Sequence, residues 1–414
     1  MKSQVSHREL VPHLFRQEYA KMTAILCRHF GLKHMEIAED ITSDTFLKAS
    51  EHWAINGVPE NPTAWLYTVA KNKARDYFKR TDVFEKQIMP DLKSGDTEPS
   101  EMVSFDDQLI SDSQLAMIFA VCHPANSGES QIALALQILC GFSVEEIANA
   151  FLSKRDTIKK RLQRARNNLR NTDFQIKTLS TTEIQSRQGT VLKTLYLLFN
   201  EGYYSTSGNK FIRKELCSEA IRLMLVLTEN PLTNSAQTNA LMALMCFQSS
   251  RIEARTDENG EVILFDEQDK NLWDMSLIER GIYYLVNATN GKETSKYHLE
   301  AGIAYWHTTQ HGDKWGNILR LYNQLLLMEY SPITALNRTF AFSKVYGHQM
   351  AIAEAEKLGI RESSQYYELL GYLYAQSDKI KAIQYYEAAI KHTKSNTKKA
   401  TLKREIERLQ KIIW

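Results

Sequence analysis

Apolar side chains recur at intervals of three and four along almost the whole chain, the spacing that lines one face of a helix, and strict two-residue alternation is nearly absent. With only eight prolines and seventeen glycines to interrupt 414 residues, the pattern predicts an all-α protein. One hairpin stands against this reading. From Glu253 to Phe265, Asn259-Gly260 can supply the positive-φ pair of a tight turn before the alternating Val262-Ile263-Leu264-Phe265, which predicts a small insertion between helices. A second interruption runs over 83–112, where Pro90, Gly95 and Pro99 accompany a run of acids from Asp82 to Asp112 opposed only by Lys86 and Lys93. Such a stretch reads as an acidic linker. It separates a helical unit over 8–82 from a smaller one over 113–172, after which helical spacing continues to Trp414.

Within the first unit, Asn61-Pro62 reads as a helix start, with Asn as N-cap and Pro preset at the first helical position. The helix that follows to Arg80 has two chemical faces. Leu66, Val69, Ala70 and Tyr77 form the apolar stripe, whereas Tyr67, Lys71, Arg75 and Lys79 recur every four residues on another face. Cations there, with Arg80 and Asn72 nearby and the rings of Trp65 and Tyr67 at the head, suit single-stranded or melting DNA: the cations hold phosphates and the rings stack on an unpaired base. The same face, taken alone, also fits a solvated amphipathic helix.

The second unit is more specific. QIALALQILCGFSVEEIANAFLSKRDTIKKRLQRARNNLR, residues 131–170, parses as helix, turn, helix, turn, helix. Gly141 can close the first helix, and Ser143 with Glu146 forms a capping box that opens a short helix from Val144 to Phe151. From Lys154 to Arg170 eight basic residues face a single acid, Asp156, over a buried stripe of Ile158, Leu162, Ala165 and Leu169. Capping, spacing and charge agree with a helix-turn-helix whose second helix enters a major groove, with Lys154, Arg155, Thr157, Lys159, Lys160, Arg161, Arg164 and Arg166 as candidate DNA contacts.

The formal charge of +2 excludes a globally basic nucleic-acid binder, so any such surface must come from these local clusters. Five scattered cysteines without a CxxC pair predict a reduced, cytoplasmic setting, and no apolar run reaches membrane-spanning or signal-peptide length. No nucleotide-binding loop, HExxH, GxSxG or GxGxxG fingerprint occurs, so neither catalysis nor a cofactor is expected. His123 beside Pro124, and the pair His307 and His311, lack the further ligands of a metal site, and the pair is expected on a helix surface.

The order basic helix, acidic linker, helix-turn-helix is similar to regions 2 and 4 of extracytoplasmic-function (ECF) sigma factors. AEDITSDTFLKASEHW resembles their region 2.2, NPTAWLYTVAKNKARDYFKR their regions 2.3 and 2.4, and GFSVEEIANAFLSKRDTIKKRLQRARNNL their region 4.2. The resemblance implies that Asp40, Ser43, Asp44 and Leu47, on one helix face, dock on the β′ clamp helices of core RNA polymerase. Region 2 would melt and read the minus-10 element of promoter DNA with residues such as Asn61, Trp65, Tyr67, Lys71, Asn72, Arg75, Lys79 and Arg80. Region 4 would sit on the β flap and read the minus-35 element. Ser43 stands where these factors commonly carry Gln, and Leu152 where such motifs often carry Gly, which predicts a different turn there.

CHPANSGESQIALALQILCGF, with an extension of more than two hundred residues, resembles the subgroup fused to a tetratricopeptide (TPR)-like domain. A helical domain over 180–330 and TPR-like repeats over 331–414 are expected; YYELLGYLYAQSDKIKAIQYYEAAI carries Leu370-Gly371, Tyr374, Ala382, Tyr386 and Ala389 in the repeat's pattern. Such arrays hold a peptide or protein partner in a concave groove, which makes the extension a regulator or, on the plainer reading, a structural appendage. The segments NEGYYSTSG and RIEARTDENGEVILFDEQDKNLWD are either a partner site or paired surface charge, with Arg251 and Arg255 bridging Asp257, Glu267 or Asp269. Two alternatives stay open: a helix-turn-helix regulator that never meets core polymerase, and an enzyme within 175–414 using Glu201, Asp257 and Glu267.

Overall fold

A computed structural model describes residues 7–80, 105–204, 210–255, 263, 267–291, 293–309, 313–360 and 363–413, and all regular structure among them is helical. The chain divides into two units, residues 1–198 and 199–414.

Three helices begin the first unit: α1 His7–Phe30, α2 Met35–Asn56 and α3 Pro62–Arg80. Their three-and-four spacing brings Met22, Ile25, Leu26, Phe46, Trp53 and Leu66 into one core, where the Thr23 hydroxyl donates to Thr42 at 3.2 Å and Thr42 to the Ala38 carbonyl at 2.8 Å. Next comes α4, Asp107–Val121, capped by Asp106, whose side chain accepts from the Leu109 amide, and packed against α1. Residues 107–112 are thus the start of a helix and not linker. Asp107 sits in the first turn, at the positive end of the helix dipole, Asp112 accepts from Gln108 and Thr178, and seven apolar residues farther on are buried. The remainder of the expected linker, 81–104, lies outside the described residues.

The rest of the unit is α5 Gly128–Leu134, which widens into a π-type turn over Ala135–Leu139, then α6 Val144–Ala150, α7 Arg155–Arg170 and the first part of α8 Thr181–Tyr203. That first part is bound in: Arg187 donates to the Phe119 carbonyl and Thr194 to Gln131 Oε1 at 2.8 Å, with Ile184 and Val191 fully buried. The unit therefore ends within α8, beyond the boundary near 172 expected from the sequence.

The second unit continues with α9 Lys210–Glu229, α10 Ala236–Ser249, α11 Met275–Ala288, α12 Lys296–Thr308, α13 Lys314–Met328, α14 Pro332–Tyr346, α15 His348–Lys357, α16 Ser364–Tyr374, α17 Lys379–Lys391 and α18 Asn396–Ile413. Each packs on its neighbour in sequence, and α10, which packs on α9, α11 and α12, has residues 240–247 all buried. In the α16–α17 pair a Cβ at Gly371 would meet the Tyr386 ring at 2.6 Å, so only glycine permits this approach, while Leu370, Ala382 and Ala389 fill the seam. Of the expected hairpin, Glu253–Arg255 forms a 3₁₀ turn and the Ile263 amide donates to the Arg255 carbonyl at 2.9 Å; its turn, Asn259-Gly260, lies outside the described residues.

Candidate nucleic-acid interface

On α2, burial of Ala38, Ile41, Thr42, Thr45, Phe46 and Ala49 turns the opposite face outward. Asp40, Ser43, Asp44 and Leu47 are all exposed there, and Leu47 is 58% accessible. The face therefore offers two carboxylates around one apolar side chain. The Asp44 carboxylate lies 3.1 Å from Lys73 Nζ on α3, an exposed pair that contributes little.

The α3 helix begins as its sequence dictates, with Asn61 Oδ1 accepting from the Ala64 amide at 3.0 Å. Leu66, Val69 and Ala70 are buried and Asn72 is exposed, while Lys71 and Arg75 lie half-exposed at the margin of the packed face. The side chains of Lys79 and Arg80 lie outside the described part. Tyr67 departs from expectation. Its hydroxyl donates to Glu18 Oε2 at 2.9 Å, its ring meets Phe105 edge-on, and burial beside that carboxylate pushes its phenol well up. Tyr67 is thus a packed residue holding α3 to α1, not a ring offered to a base. What the spacing could not show is Glu18, itself buried, 49 residues upstream. Trp65 is half-buried, stacked on His52 at 5.5 Å and edge-on to Trp53 at 5.4 Å.

The α6–α7 pair follows its sequence closely. Ser143 Oγ accepts from the Glu146 amide and Glu146 Oε2 from the Ser143 amide, closing the capping box. The turn that follows corrects an expectation. Leu152 adopts the left-handed conformation, φ 48°, without being glycine. The Ser153 amide donates to the Ala148 carbonyl at 2.9 Å and the Leu152 amide to Asn149 at 3.3 Å, the two bonds of a Schellman end. The turn geometry is therefore the one glycine usually serves, its strain held by those bonds while the side chain points to solvent at 68% accessibility.

Along α7, Ile158, Leu162, Ala165 and Leu169 are buried, anchoring the helix by about 1.5–3 kcal/mol per Ile or Leu. Lys154, Arg155, Thr157, Lys159, Lys160 and Arg164 are exposed, which leaves a cationic ridge facing solvent. Two expected members of the ridge are engaged elsewhere. Arg161 pairs with Glu129 at 2.6 Å and covers the Phe151 ring at 5.9 Å. Arg166 turns inward to grip Glu39 of α2 with both terminal nitrogens at 2.7 Å and to donate to Gln137 at 2.9 Å. Arg166 is withdrawn from the DNA-facing set.

In the second unit the two polar aromatic segments marked by the sequence do meet, at Tyr203. Arg255 donates to the Tyr203 carbonyl at 2.8 Å with its guanidinium 3.8 Å above that ring, and Arg251 reaches the Tyr203 hydroxyl at 3.4 Å. Glu267 instead lies 3.7 Å from Arg408, Asp269 caps the Asn271 amide, and Asp257 is outside the described residues. A cavity of about 580 Å³ is lined by Trp315, Phe340 and Tyr372 together with His307, His348 and Arg408. Glu267, Lys379 and Glu405 also line it, so its wall mixes rings with charges, and the Lys344 ammonium lies 5.2–5.6 Å from those three ring centres. His307 is not on the helix surface: burial, with Arg251 and Lys314 nearby, pushes its pKa down to about 3. His311 lies outside the described residues.

Residues 14–83 match sigma-70 region 2, and residues 187–289 match a family of unknown function (DUF6596). The chain is 32% identical over 349 residues to "Uncharacterized protein R00370" of Rhizobium meliloti, covering 83% of this chain and 81% of that one. Over 76 residues it is 32% identical to the RNA polymerase sigma factor YlaC of Bacillus subtilis, covering 18% of this chain and 43% of that protein. No solved structure matches the chain. Among the described residues no helix is long and apolar enough to cross a membrane.

Proposed function

The chain belongs to the family of its Rhizobium relative and carries a sigma-70 region 2, and from that premise we propose that it is an ECF-type sigma factor whose C-terminal TPR-like array regulates it. The face of Asp40, Ser43, Asp44 and Leu47 binds the β′ clamp helices of core polymerase, with Leu47 as the apolar centre among charges. The α3 helix engages the minus-10 element through Asn72, Lys71 and Arg75, and Trp65 supplies the ring. The α6–α7 pair is the helix-turn-helix of region 4, seated near the β flap, with Lys154, Arg155, Thr157, Lys159, Lys160 and Arg164 on the minus-35 element.

The observation that carries this reading is the exposed α2 face lying within the stretch matched to region 2. A regulator that only binds duplex DNA needs no such face. The array from α14 to α18, with Gly371 seated on Tyr386, supports the TPR-like reading, and the cavity of mixed rings and charges supports a peptide or protein partner there.

Run-off transcription with purified core polymerase tests the proposal, comparing the full chain with one ending at residue 204, which retains α8. Initiation by either supports a sigma factor, and the difference between them measures the array's control. Duplex binding without any association with core would replace this reading with a helix-turn-helix regulator.

A further inference from the structure

The cavity of about 580 Å³ in the second unit has the size of a small-molecule site, and its wall is built in two parts. One part is a continuous row of rings. Trp315 of α13 meets Phe340 of α14 edge-on at 5.6 Å, Phe340 meets Tyr372 of α16 at 5.1 Å, and Tyr372 meets His348 of α15 at 5.1 Å. All four are only half-buried, so part of each ring is left uncovered. The other part is ionic. Arg408 of α18 stands 3.7 Å from both Glu267 and Glu405, so the two carboxylates of the wall share one guanidinium.

Two ammoniums decide which charge such a wall accepts. Lys344 Nζ lies 5.2–5.6 Å from the centres of Trp315, Phe340 and Tyr372, the place among rings that an organic cation takes in an aromatic cage. The cage is thus filled by a cation of the chain itself, and a second one is repelled. Lys379, the first residue of α17, also lines the cavity, and no acid among the described residues pairs with it. The histidines of the wall add no charge. Burial, with Lys344 nearby, lowers the pKa of His348, and that of His307 is about 3, so both imidazoles are neutral at pH 7. His348 Nδ1 is buried without a hydrogen-bond partner and adds a polar atom that no protein group satisfies.

Deepening the partner reading above, we infer that this cavity is a receptor site for an organic anion with a flat aromatic body, its carboxylate drawn to Lys344 and Lys379 and its ring continuing the row of Trp315, Phe340 and Tyr372. The carboxylate gains charge-assisted hydrogen bonds, and the ring gains edge-on or offset contacts. Such chemistry arrives either as a free small molecule or as adjoining acidic and aromatic side chains of a partner segment.

Calorimetric titration of the full chain with three probes of one shape tests the assignment: naphthoate, its neutral amide and naphthylmethylammonium. Naphthoate should bind about tenfold more tightly than the amide, and the ammonium more weakly than either. Lys379→Gln and Lys344→Gln should each lose about tenfold in naphthoate affinity. Lys391→Gln, the same change at the exposed far end of α17, should lose none. Because Lys344 also packs on the rings, Lys379→Gln decides the matter where Lys344→Gln does not fold. Equal affinity for the three probes, preference for the ammonium, no binding of naphthoate at millimolar concentration, or an unchanged affinity in Lys379→Gln overturns the receptor site. Acetyl-Asp-Trp-amide, which carries the acid and the ring on a backbone, separates the two sources. Binding as tight as that of naphthoate supports the site as the seat of a partner's anchor. Naphthoate binding without dipeptide binding supports a free small molecule, and overturns the peptide or protein partner while leaving the site in place.

Discussion

The two basic helices, α3 and α7, look alike as sequence, each an apolar stripe backed by cations at helical spacing, yet the structure treats them differently. In α7 the stripe is buried and six of the eight expected DNA contacts stand in solvent. In α3 the aromatic that heads the cationic row is bound to Glu18, and Lys71 and Arg75 lie half-exposed at the edge of packing. The difference arises from surroundings. Both helices pack on two others, α7 on α5 and α6 and α3 on α1 and α2, so what differs is which side chains of the row meet a partner: Tyr67 at the head of the α3 row reaches the buried Glu18 of α1. In both rows the members that meet an acid across the packing, Tyr67 in α3 and Arg161 and Arg166 in α7, become structure, and the others remain surface.

The largest effect expected is at the residue of α7 that behaves as α3 does. Arg166→Ala should cost about 3–5 kcal/mol, because it leaves Glu39 buried without its counter-charge, and the double variant with Glu39→Ala should cost less. Thermal unfolding of the full chain measures both; a double variant worse than Arg166→Ala would deny that the two charges compensate each other. Next in size is the open ridge. Replacing Lys159, Lys160 and Arg164 together with alanine should flatten the salt slope of duplex binding by about 2.7, three phosphate contacts at ~0.9 each. The fold should be unaffected, since none of the three is buried. A slope that does not move would remove α7 as the DNA-reading helix.

These contrasts mark what the sequence could carry. The all-α class, the caps at Ser143 and Asn61, the buried stripe of α7 and the exposed face of α2 are local: each is set by residues within about two helical turns, the range that periodicity reports. The partners of Tyr67 and Arg166 are not local, lying 49 and 127 residues away, and nothing in their own spacing marks them as consumed. The start of α4 was missed for a different reason. Its acids imitate linker composition while serving the helix N-terminus, and the apolar run from Leu115 to Val121 that follows is the signal that could have corrected it. At residues 251–255 the types pointed to ion pairs with Asp257, Glu267 or Asp269, but Arg255 sits on the ring and carbonyl of Tyr203, which a charge count cannot see.

Tyr67 sharpens the comparison at smaller scale. Tyr67→Phe keeps the ring and deletes only the hydroxyl, so a base-stacking role would survive it. Held as it is at 2.9 Å to a buried carboxylate, the hydroxyl should instead be worth about 1–3 kcal/mol of stability. A wild-type melting temperature for Tyr67→Phe would return the ring to the DNA-facing row and make α3 resemble α7 after all.

The smallest expected effect lies in the turn that aims α7. At φ 48°, Leu152 carries a strain of about 1–2 kcal/mol that glycine would relieve. Glycine also gives the unfolded chain more freedom, which offsets about 0.4–1 kcal/mol of that gain. Because the side chain is exposed, little packing is lost, and Leu152→Gly should raise the stability of the first unit by at most about 1.6 kcal/mol. Duplex affinity should not change, since both Schellman bonds are made by backbone atoms that the substitution leaves in place. A clear loss of affinity in Leu152→Gly with stability retained would show that the side chain itself takes part in DNA contact, and would extend the α7 ridge into the turn that precedes it.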